Sequence, residues 1–340
     1  MTVKLLDLLI RDEKKINNPL YSSGPYWQHK NKRTISQIKK KSLKNFRGLD
    51  AGIGTSFSDN LVCDIRNEYN LKGQFISSFY NLPIIKKVFD QQIELNKNFI
   101  FRFLNYQKIL FQNNERVNYL LKNFKFNKTT TFGCLQKFIY KKKYISTHYI
   151  EMANRVDNLS KFFNFSKIER YFEIGGGFGA NIHFLLQNFP NIKKVIYLDI
   201  VPNIYVGTEY LRKFYKKNII DYQQTKNMKE IKFMKNKKLE IFCLAPWQIE
   251  KCSDYIDHFH NAASFVEMPK EIISNYLKHL KRLKTKDISL ISYLEFDDKT
   301  TFNPIKLKRF FKKPLKTYYY DYVIDKLNLK NIYFVGKKIY

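Results

Sequence analysis

Long apolar runs and closely spaced cysteines are both missing from this sequence. No stretch of the chain approaches the roughly 18 apolar residues that a membrane-spanning helix needs. The 4 cysteines form no Cys-x-x-Cys pair, so they indicate neither a zinc site nor a redox motif. A short apolar stretch at residues 5–10 is interrupted by Asp7 and has no cleavage site, which argues against a signal peptide. We therefore expect a reduced, cytoplasmic protein.

Arginine is scarce in a strongly basic chain. Only 11 arginines stand beside 50 lysines, and the formal net charge is +31. The lysines form short scattered clusters, and we find no arginine-rich segment and no recognisable RNA-binding module. We interpret most of them as solvated faces. The charge still leaves open an attraction to RNA, to an anionic lipid surface or to an acidic glycan.

Apolar and aromatic residues are plentiful. Apolar residues make up 44% of the 340 residues, with 30 Phe and 24 Tyr among them. That composition supports a packed core, and the length leaves room for an α/β domain of roughly 180 residues and a smaller region beside it. We predict a mainly helical N-terminal region at residues 1–150 and the α/β domain at residues 151–340.

Glycine is sparse, and a third of it is concentrated in one turn. Of the 12 glycines, four fall within five residues: Gly175, Gly176, Gly177 and Gly179. A short apolar run at residues 171–174 precedes them. An amphipathic segment at residues 182–189 follows, and a second apolar run at residues 195–198 ends at Asp199. This order predicts strand, tight turn, helix and strand, which is a βαβ unit with a ligand-binding turn.

The residues around this turn discriminate between two nucleotide-type ligands, a dinucleotide and S-adenosyl-L-methionine. Both ligands suit the turn, because glycines let the backbone approach a ligand and Asp199 can bind ribose hydroxyls. The spacing of Gly175, Gly177 and Ala180 also satisfies the dinucleotide pattern. Glu173 favours the other ligand, since its carboxylate suits the ammonium of S-adenosyl-L-methionine and would repel a pyrophosphate. We predict S-adenosyl-L-methionine as the cofactor, bound by Glu173, the four glycines and Asp199.

Strands and helices alternate in the C-terminal half of the chain. Apolar runs predict further strands at residues 239–244, 255–260, 288–294 and 332–335, and a helix starts at Pro269. The alternation predicts a Rossmann-like, doubly wound and mostly parallel sheet. Ligands bind at the carboxyl ends of the strands of such sheets. We therefore expect the glycine turn and Asp199 to converge there with residues 261–267 and with Gln248, which we add to the cofactor-binding set.

The N-terminal region carries weaker signals. Helical spacing predicts a helix at residues 34–46 and two or three more between residues 83 and 126. A second glycine-containing stretch, LDAGIGT at residues 49–55, looks like a ligand-binding turn. No apolar strand precedes it, so we interpret it as a loop.

Three stretches of the chain resemble a known family. They are EIGGGFGANIHFLL with YLDIVPNIYVGTEYL after it, DHFHNAASFVEM, and more weakly YWQHKNKRTISQIKKKSLKNF. Together they resemble the sugar O-methyltransferases, bacterial class I S-adenosylmethionine-dependent enzymes associated with cell-surface polysaccharide. The resemblance implies a class I methyltransferase domain behind a helical cap or acceptor region. It also implies methylation of a sugar hydroxyl of a cell-surface polysaccharide or its precursor.

Methyl transfer to a hydroxyl sets the chemistry that the site must supply. The enzyme aligns the acceptor oxygen with the methyl group and removes the hydroxyl proton. Glu267 and His260 are our candidate catalytic residues, because both lie at or after the predicted fourth strand. Asn261 and Ser264 are candidates for binding the acceptor, and His148 could reach the cleft from the N-terminal side. We assign no metal site.

Other functions remain open beside this one. The positive charge motivates an RNA methyltransferase, although we do not expect nucleic acid to be the partner. A donor-binding but non-catalytic scaffold in a glycan-assembly complex is a third interpretation, and an NAD oxidoreductase is the least favoured. The expected partner is a sugar or glycan acceptor, with peripheral contact to an anionic membrane surface left open. Nothing in the sequence predicts an oligomeric state.

Overall fold

The chain separates into two compact units. The computed structural model describes residues 4–43, 46–48, 114–126, 131–134, 139–140, 143–144, 146–293, 318–324 and 331–338. One unit contains residues 1–39 and 154–340, and the other contains residues 40–153. The boundary after residue 153 lies close to the predicted boundary at residue 150, but the first 39 residues belong to the same unit as residues 154–340. The predicted domain division stays a prediction.

The described strands are short, and most follow apolar runs. They are β1 Ile139–Tyr140, β2 Lys143–Tyr144, β3 Arg170–Ile174, β4 Lys194–Leu198, β5 Ile219–Ile220, β6 Glu240–Leu244, β7 His258–Ala262, β8 Asp287–Tyr293, β9 Tyr318–Ile324 and β10 Asn331–Lys338. β4 and β6 are buried along their whole length, as expected for central strands of a sheet covered on both faces.

Eight of these strands form one sheet. Its order is β5-β6-β4-β3-β7-β8-β10-β9. The pairs from β5 to β8 are parallel, and β10 runs antiparallel to both β8 and β9. Successive strands extend to one side of β3 through β4 and β6, and to the other side through β7 and β8, so the order reverses between β3 and β7. The predicted Rossmann-like, doubly wound and mostly parallel sheet is confirmed.

Helices connect the strands and dominate the described N-terminal residues. They are α1 Lys4–Ile16, α2 Pro25–Lys41, α3 Asn114–Asn123, α4 Thr147–Leu159, α5 Ala180–Asn188, α6 Asn203–Tyr215, α7 Tyr222–Thr225 and α8 Lys270–Arg282. The predicted helical character of the N-terminal region is therefore confirmed for its described part. In α8 the apolar residues recur at helical spacing and form the buried face: Ile272, Ile273, Tyr276, Leu277 and Leu280.

Several strands differ from the sequence prediction, and the short strands β1, β2 and β5 were not predicted. β7 was expected at residues 255–260 but runs from His258 to Ala262. Asn261 and Ala262 are poor strand formers, so local preference ends the strand early. Parallel pairing with Leu290 and Ile291 of β8 extends it. β9 was not predicted, although its sequence YYYDYVI is rich in aromatic and β-branched residues, and β10 supplies its partner.

The second unit is described only in part. Arg47 donates a hydrogen bond from its side chain to Oγ of Ser146 at 2.7 Å, and both residues are buried. Gly133 has a positive φ of 81°, and a side chain there would overlap the ring of Phe46. The glycine-containing stretch at residues 49–55 and the part of the predicted helical segment 83–126 that precedes residue 114 lie outside the described residues.

None of the helices in the described part of the chain is long and apolar enough to cross a membrane.

Candidate functional site

The glycine turn follows β3 directly, at the point where the strand order reverses. Gly175 donates its backbone N–H to the carbonyl of Leu198 at 2.9 Å, which ties the turn to the end of β4. Gly175, Gly177 and Gly179 all have positive φ, of 73°, 60° and 82°. A β-carbon on Gly175 would also overlap the Ser264 hydroxyl. Both the backbone conformation and the space therefore require glycine here.

Asp199 lies at the end of β4 and closes the other side of the turn. Its Oδ2 accepts the N–H of Gly177 at 2.8 Å, and its Oδ1 accepts the N–H of Ile200 at 2.8 Å. The side chain is only 4% exposed, and this burial raises the pKa of the carboxyl to about 7, against the lowering effect of these bonds. The prediction that Asp199 lies beside the glycines is confirmed by this contact, while its role toward a ligand stays a prediction.

Glu173 is the most deeply buried carboxyl of the site. It is 2% exposed, and its Oε1 accepts a hydrogen bond from Nδ2 of Asn181 at 3.2 Å. No described residue donates to its Oε2, although that oxygen is buried. Burial raises the pKa of Glu173 to about 8, and the nearby charge of Asp199 contributes to the rise. A buried carboxylate with an unused oxygen is costly unless a cation or a donor satisfies it.

Asn261 and Ser264 join the end of β7 to the glycine turn. Nδ2 of Asn261 donates to the carbonyl of Ile174 at 2.9 Å and to Oγ of Ser264 at 2.5 Å. Its Oδ1 accepts the N–H of Phe265. Asn261 is 1% exposed, whereas Ser264 is half-buried. Asn261 therefore acts as a structural bridge, and of the two predicted acceptor-binding residues only Ser264 keeps exposed surface.

Glu267 lies three residues beyond Ser264, at the end of a short 3-10 turn that spans Phe265–Glu267. Its Oε2 accepts a hydrogen bond from the indole Nε1 of Trp27 at 2.9 Å. Burial raises the pKa of Glu267 to about 7, whereas the Trp27 bond and the charge of Lys30 act to lower it. The charge of Glu267 also raises the pKa of Asp199 slightly, after the larger effect of burial.

His260 lies in the interior of the sheet. It is the third residue of β7, two positions before the end of the strand, and it is 2% exposed. Its Nδ1 shares a hydrogen bond of 2.8 Å with Oγ of Ser289, which also contacts Nε2 of His258 at 2.7 Å. Burial lowers the pKa of His260 well below its ordinary value, so the ring is neutral. The expectation that it stands at the end of the strand is wrong, and we no longer assign it the role of base.

Comparison with known proteins adds a structural similarity. No protein-family model matches the sequence, and no curated protein matches it. The mitomycin 7-O-methyltransferase MmcR aligns at 13% identity over 57% of this chain and 55% of that chain, with a TM-score of 0.39. This chain thus spans about half the length of that enzyme.

Two further solved structures align over similar shares. Magnesium protoporphyrin IX methyltransferase (ChlM) from Synechocystis PCC 6803 with bound SAM has 12% identity over 56% of this chain and 80% of that chain, with a TM-score of 0.39. Human N-acetylserotonin methyltransferase in complex with SAM has 10% identity over 68% of this chain and 58% of that chain, with a TM-score of 0.35. We infer ligand and reaction from this chain's own residues.

The side-chain amide of Gln248 is hydrogen-bonded within the protein. It lies in the 3-10 turn Pro246–Lys251 after β6 and is 1% exposed. Its Oε1 accepts the N–H of Ala245 at 3.0 Å, and its Nε2 donates to Oγ1 of Thr225 at 2.9 Å. Both polar ends of the side chain hold the turn, which gives Gln248 a structural role. Contact with a cofactor stays a prediction.

His148 belongs to the other unit. It is the second residue of α4 and is half-buried. Its predicted contact with the acceptor stays a prediction.

Two residues at the site were not singled out from the sequence. Asn181 holds Oε1 of Glu173 and also donates to the Tyr171 hydroxyl at 2.8 Å, although it lies inside α5. A polar residue on the buried side of a helix that follows a glycine turn was the available signal. Trp27 is separated from Glu267 by 240 residues, and no sequence pattern predicts such a contact.

The site combines two kinds of carboxyl. Glu173 and Asp199 lie deep at the turn, where they can hold a cationic ligand with hydroxyl groups. Glu267 lies nearer the surface, where it can exchange a proton. No group of three or more His, Cys, Asp or Glu side chains suited to a metal ion occurs within the described residues.

Proposed function

We propose that this chain is an S-adenosyl-L-methionine-dependent O-methyltransferase. The single observation that carries the proposal is the buried Glu173 carboxyl, whose Oε2 has no donor among the described residues. In its ionised form, which the donor-free protein reaches as the pH approaches about 8, this desolvated carboxyl beside Asp199 attracts a cation strongly, because water does not screen it. S-adenosyl-L-methionine is such a cation, and its ammonium group can donate to the unused oxygen.

The rest of the turn fits the same ligand. The glycine turn at residues 175–179 leads directly into α5. The backbone N–H groups at the N-terminus of α5 suit the carboxylate of the methionine part of the ligand. Asp199 keeps acceptor capacity beyond its two backbone bonds and can bind ribose hydroxyls. A dinucleotide would instead place its pyrophosphate near Glu173, where the charges repel. The bound donor would supply an activated methyl group.

Glu267 is our proposed catalytic base. Its pKa of about 7 suits a group that accepts a proton near neutral pH. One oxygen is held by Trp27, and no described residue donates to the other. That oxygen can accept the proton of an acceptor hydroxyl as the oxygen–methyl bond forms, and the methyl–sulfur bond of the donor would break to leave S-adenosylhomocysteine. Ser264, half-buried between Glu267 and the glycine turn, is the proposed contact for the acceptor.

The acceptor class comes from the resemblance of the glycine turn and the NAASFVEM stretch. On that ground we propose a sugar hydroxyl of a cell-surface polysaccharide or its precursor, methylated in the cytoplasm. The net charge of +31 is compatible with an acidic glycan and with peripheral contact to an anionic membrane surface.

Calorimetry on the full chain tests the donor first. We expect S-adenosyl-L-methionine and S-adenosylhomocysteine to bind and NAD not to bind. Binding of NAD alone would contradict the proposal. Incubation with labelled donor and either a glycan extract or total RNA then tests the acceptor. Label in the glycan fraction supports the sugar acceptor, label in RNA would favour the RNA enzyme, and donor binding without transfer to either would favour the scaffold.

A genetic comparison tests the same acceptor in the cell. Glycan mass spectra with and without the gene should differ by one methyl group on a surface sugar. Identical spectra would contradict the sugar acceptor while leaving donor binding to be judged by calorimetry.

A further inference from the structure

The N-terminal segment, residues 18–30, packs against the loops that follow β6 and β7. Asn18 caps a 3-10 turn at Pro19–Tyr21 through its side chain. The Tyr21 hydroxyl then donates to Oε1 of Glu250 at 2.6 Å. Gly24 approaches Pro269 so closely that a β-carbon would lie 3.0 Å from the Pro269 ring. These contacts fix the position at which α2 begins.

Trp27 is the third residue of α2 and reaches Glu267. It is 9% exposed, and its indole N–H is 2.9 Å from Oε2 of the carboxyl. Lys30 lies three positions further on the same helix face, with its Nζ 5.3 Å from the centroid of the Trp27 ring. The cation over the ring and the N–H toward the carboxyl place Trp27 between Lys30 and Glu267.

This arrangement constrains how the carboxyl of Glu267 is oriented. A carboxylate is planar, so a hydrogen bond that holds one oxygen also sets the direction of the other. An indole N–H donates and cannot accept, so it favours the ionised form of its partner. The same bond that orients Glu267 therefore keeps it competent to take a proton.

We propose that Trp27 is a positioning residue for Glu267: its indole N–H holds Oε2 and directs Oε1 to the acceptor hydroxyl. The inference rests on the proposed function of Glu267 as base. It assigns the N-terminal segment a part in the reaction that its distance along the sequence does not suggest. The proton taken from the hydroxyl resides on Oε1 after transfer, and the Trp27 bond at Oε2 is retained.

The chain contains only two tryptophans, which makes the contact measurable without any substrate. In a Trp247→Phe protein, Trp27 is the sole tryptophan, and its emission should change as Glu267 titrates near pH 7. The charged groups that interact with Glu267 are Lys30 and Asp199. The transition should persist with Asp199→Asn and disappear with Glu267→Gln. Emission that does not titrate, or that titrates unchanged with Glu267→Gln, would overturn the contact.

The role in catalysis is tested by Trp27→Phe, which keeps an aromatic ring and removes the N–H. Loss of the indole N–H raises the pKa of Glu267, so the acidic limb of the pH–rate profile should move to higher pH by about one unit. Turnover at pH 7 should fall about fivefold from the shifted limb alone, and the lost orientation of Oε1 should leave a lower plateau at higher pH, with the KM for S-adenosyl-L-methionine unchanged. Tyr21→Phe, which removes a hydroxyl from the same segment, should leave the position of that limb unchanged.

An unshifted limb in the Trp27→Phe protein would overturn the positioning role. Failure of the proposed function would look different. In that case calorimetry would detect no donor binding, while the fluorescence titration of Trp27 would still report on its contact with Glu267.

Discussion

The substitution Glu173→Gln tests the buried carboxyl in two ways at once. Glutamine has the same shape and can still accept the bond from Asn181, but it carries no charge. In the folded protein the pKa of Glu173 is raised from 4.5 to about 8. The folded state thus binds this proton more tightly than the unfolded chain. The stabilisation is fully present below pH 4.5 and is lost as the pH rises through about 8.

The size of the effect follows from the linkage relation. Between pH 6 and pH 8, Glu173 alone should lower the free energy of unfolding of the donor-free protein by about 2 kcal/mol. Urea unfolding followed by circular dichroism at both pH values measures it. The other titrating groups are common to both proteins, so the difference between wild type and Glu173→Gln isolates this carboxyl. Glu169→Gln, an exposed position four residues earlier, serves as the control.

The affinity for S-adenosyl-L-methionine should depend on pH in the opposite sense to the stability of the donor-free protein. Glu173→Gln removes a charged partner of the ammonium group, which is worth about 1.5–3 kcal/mol or roughly 10–150-fold in affinity. In the wild type, affinity for S-adenosyl-L-methionine should rise from pH 6 towards about 8, because the ionised carboxyl is the binding form, and fall above it, because the α-ammonium of the ligand then loses its proton. A variant with the same pH slope and the same affinity as wild type would refute the reasoning.

Three further predictions follow from the same contacts. Gly177→Val forces a side chain onto a backbone with a φ of 60°, and Asp199→Ala removes its partner, so calorimetry should detect no donor binding with either. The Glu267→Gln protein should bind S-adenosyl-L-methionine normally and lose about 10²–10⁴-fold in turnover. The control Glu271→Gln, at an exposed position, should keep its turnover. Equal loss of binding and turnover in Glu267→Gln would mean that Glu267 has a structural role. Asn181→Leu removes the bond that lowers the pKa of Glu173, so the pH at which donor affinity rises should increase; an unchanged midpoint would contradict that link.

The βαβ unit could be predicted from local pattern alone. Apolar runs, a glycine cluster and an acid at or just after the end of each strand indicate strand, turn and helix, because each signal depends on residues close in the sequence. The positive φ values of the turn and the bond from Gly177 to Asp199 agree with that prediction. The strands predicted at residues 171–174, 195–198 and 239–244 were placed by the same kind of signal.

The sequence-based prediction failed where the end of a strand depends on its pairing with a strand that is distant in the sequence. The end of β7 depends on hydrogen bonds to β8, so His260 was predicted at the rim and lies inside. Gln248 lies after β6, near the strand end where it was expected, and Ala245 and Thr225 occupy both ends of its amide, while its contact with a cofactor stays a prediction. Sequence spacing does not reveal whether a polar side chain is already satisfied by the protein.

Period and spacing are local properties, so they suffice to predict the parallel sheet, the glycine turn and the two acids beside it. Which of those polar groups have spare bonding capacity depends on the packing of the whole chain. Folding brings Asn181 onto one oxygen of Glu173 and leaves the other without a described donor, and it brings Trp27 onto Glu267 across 240 residues. Burial, which no single residue encodes, then sets the protonation of these carboxyls.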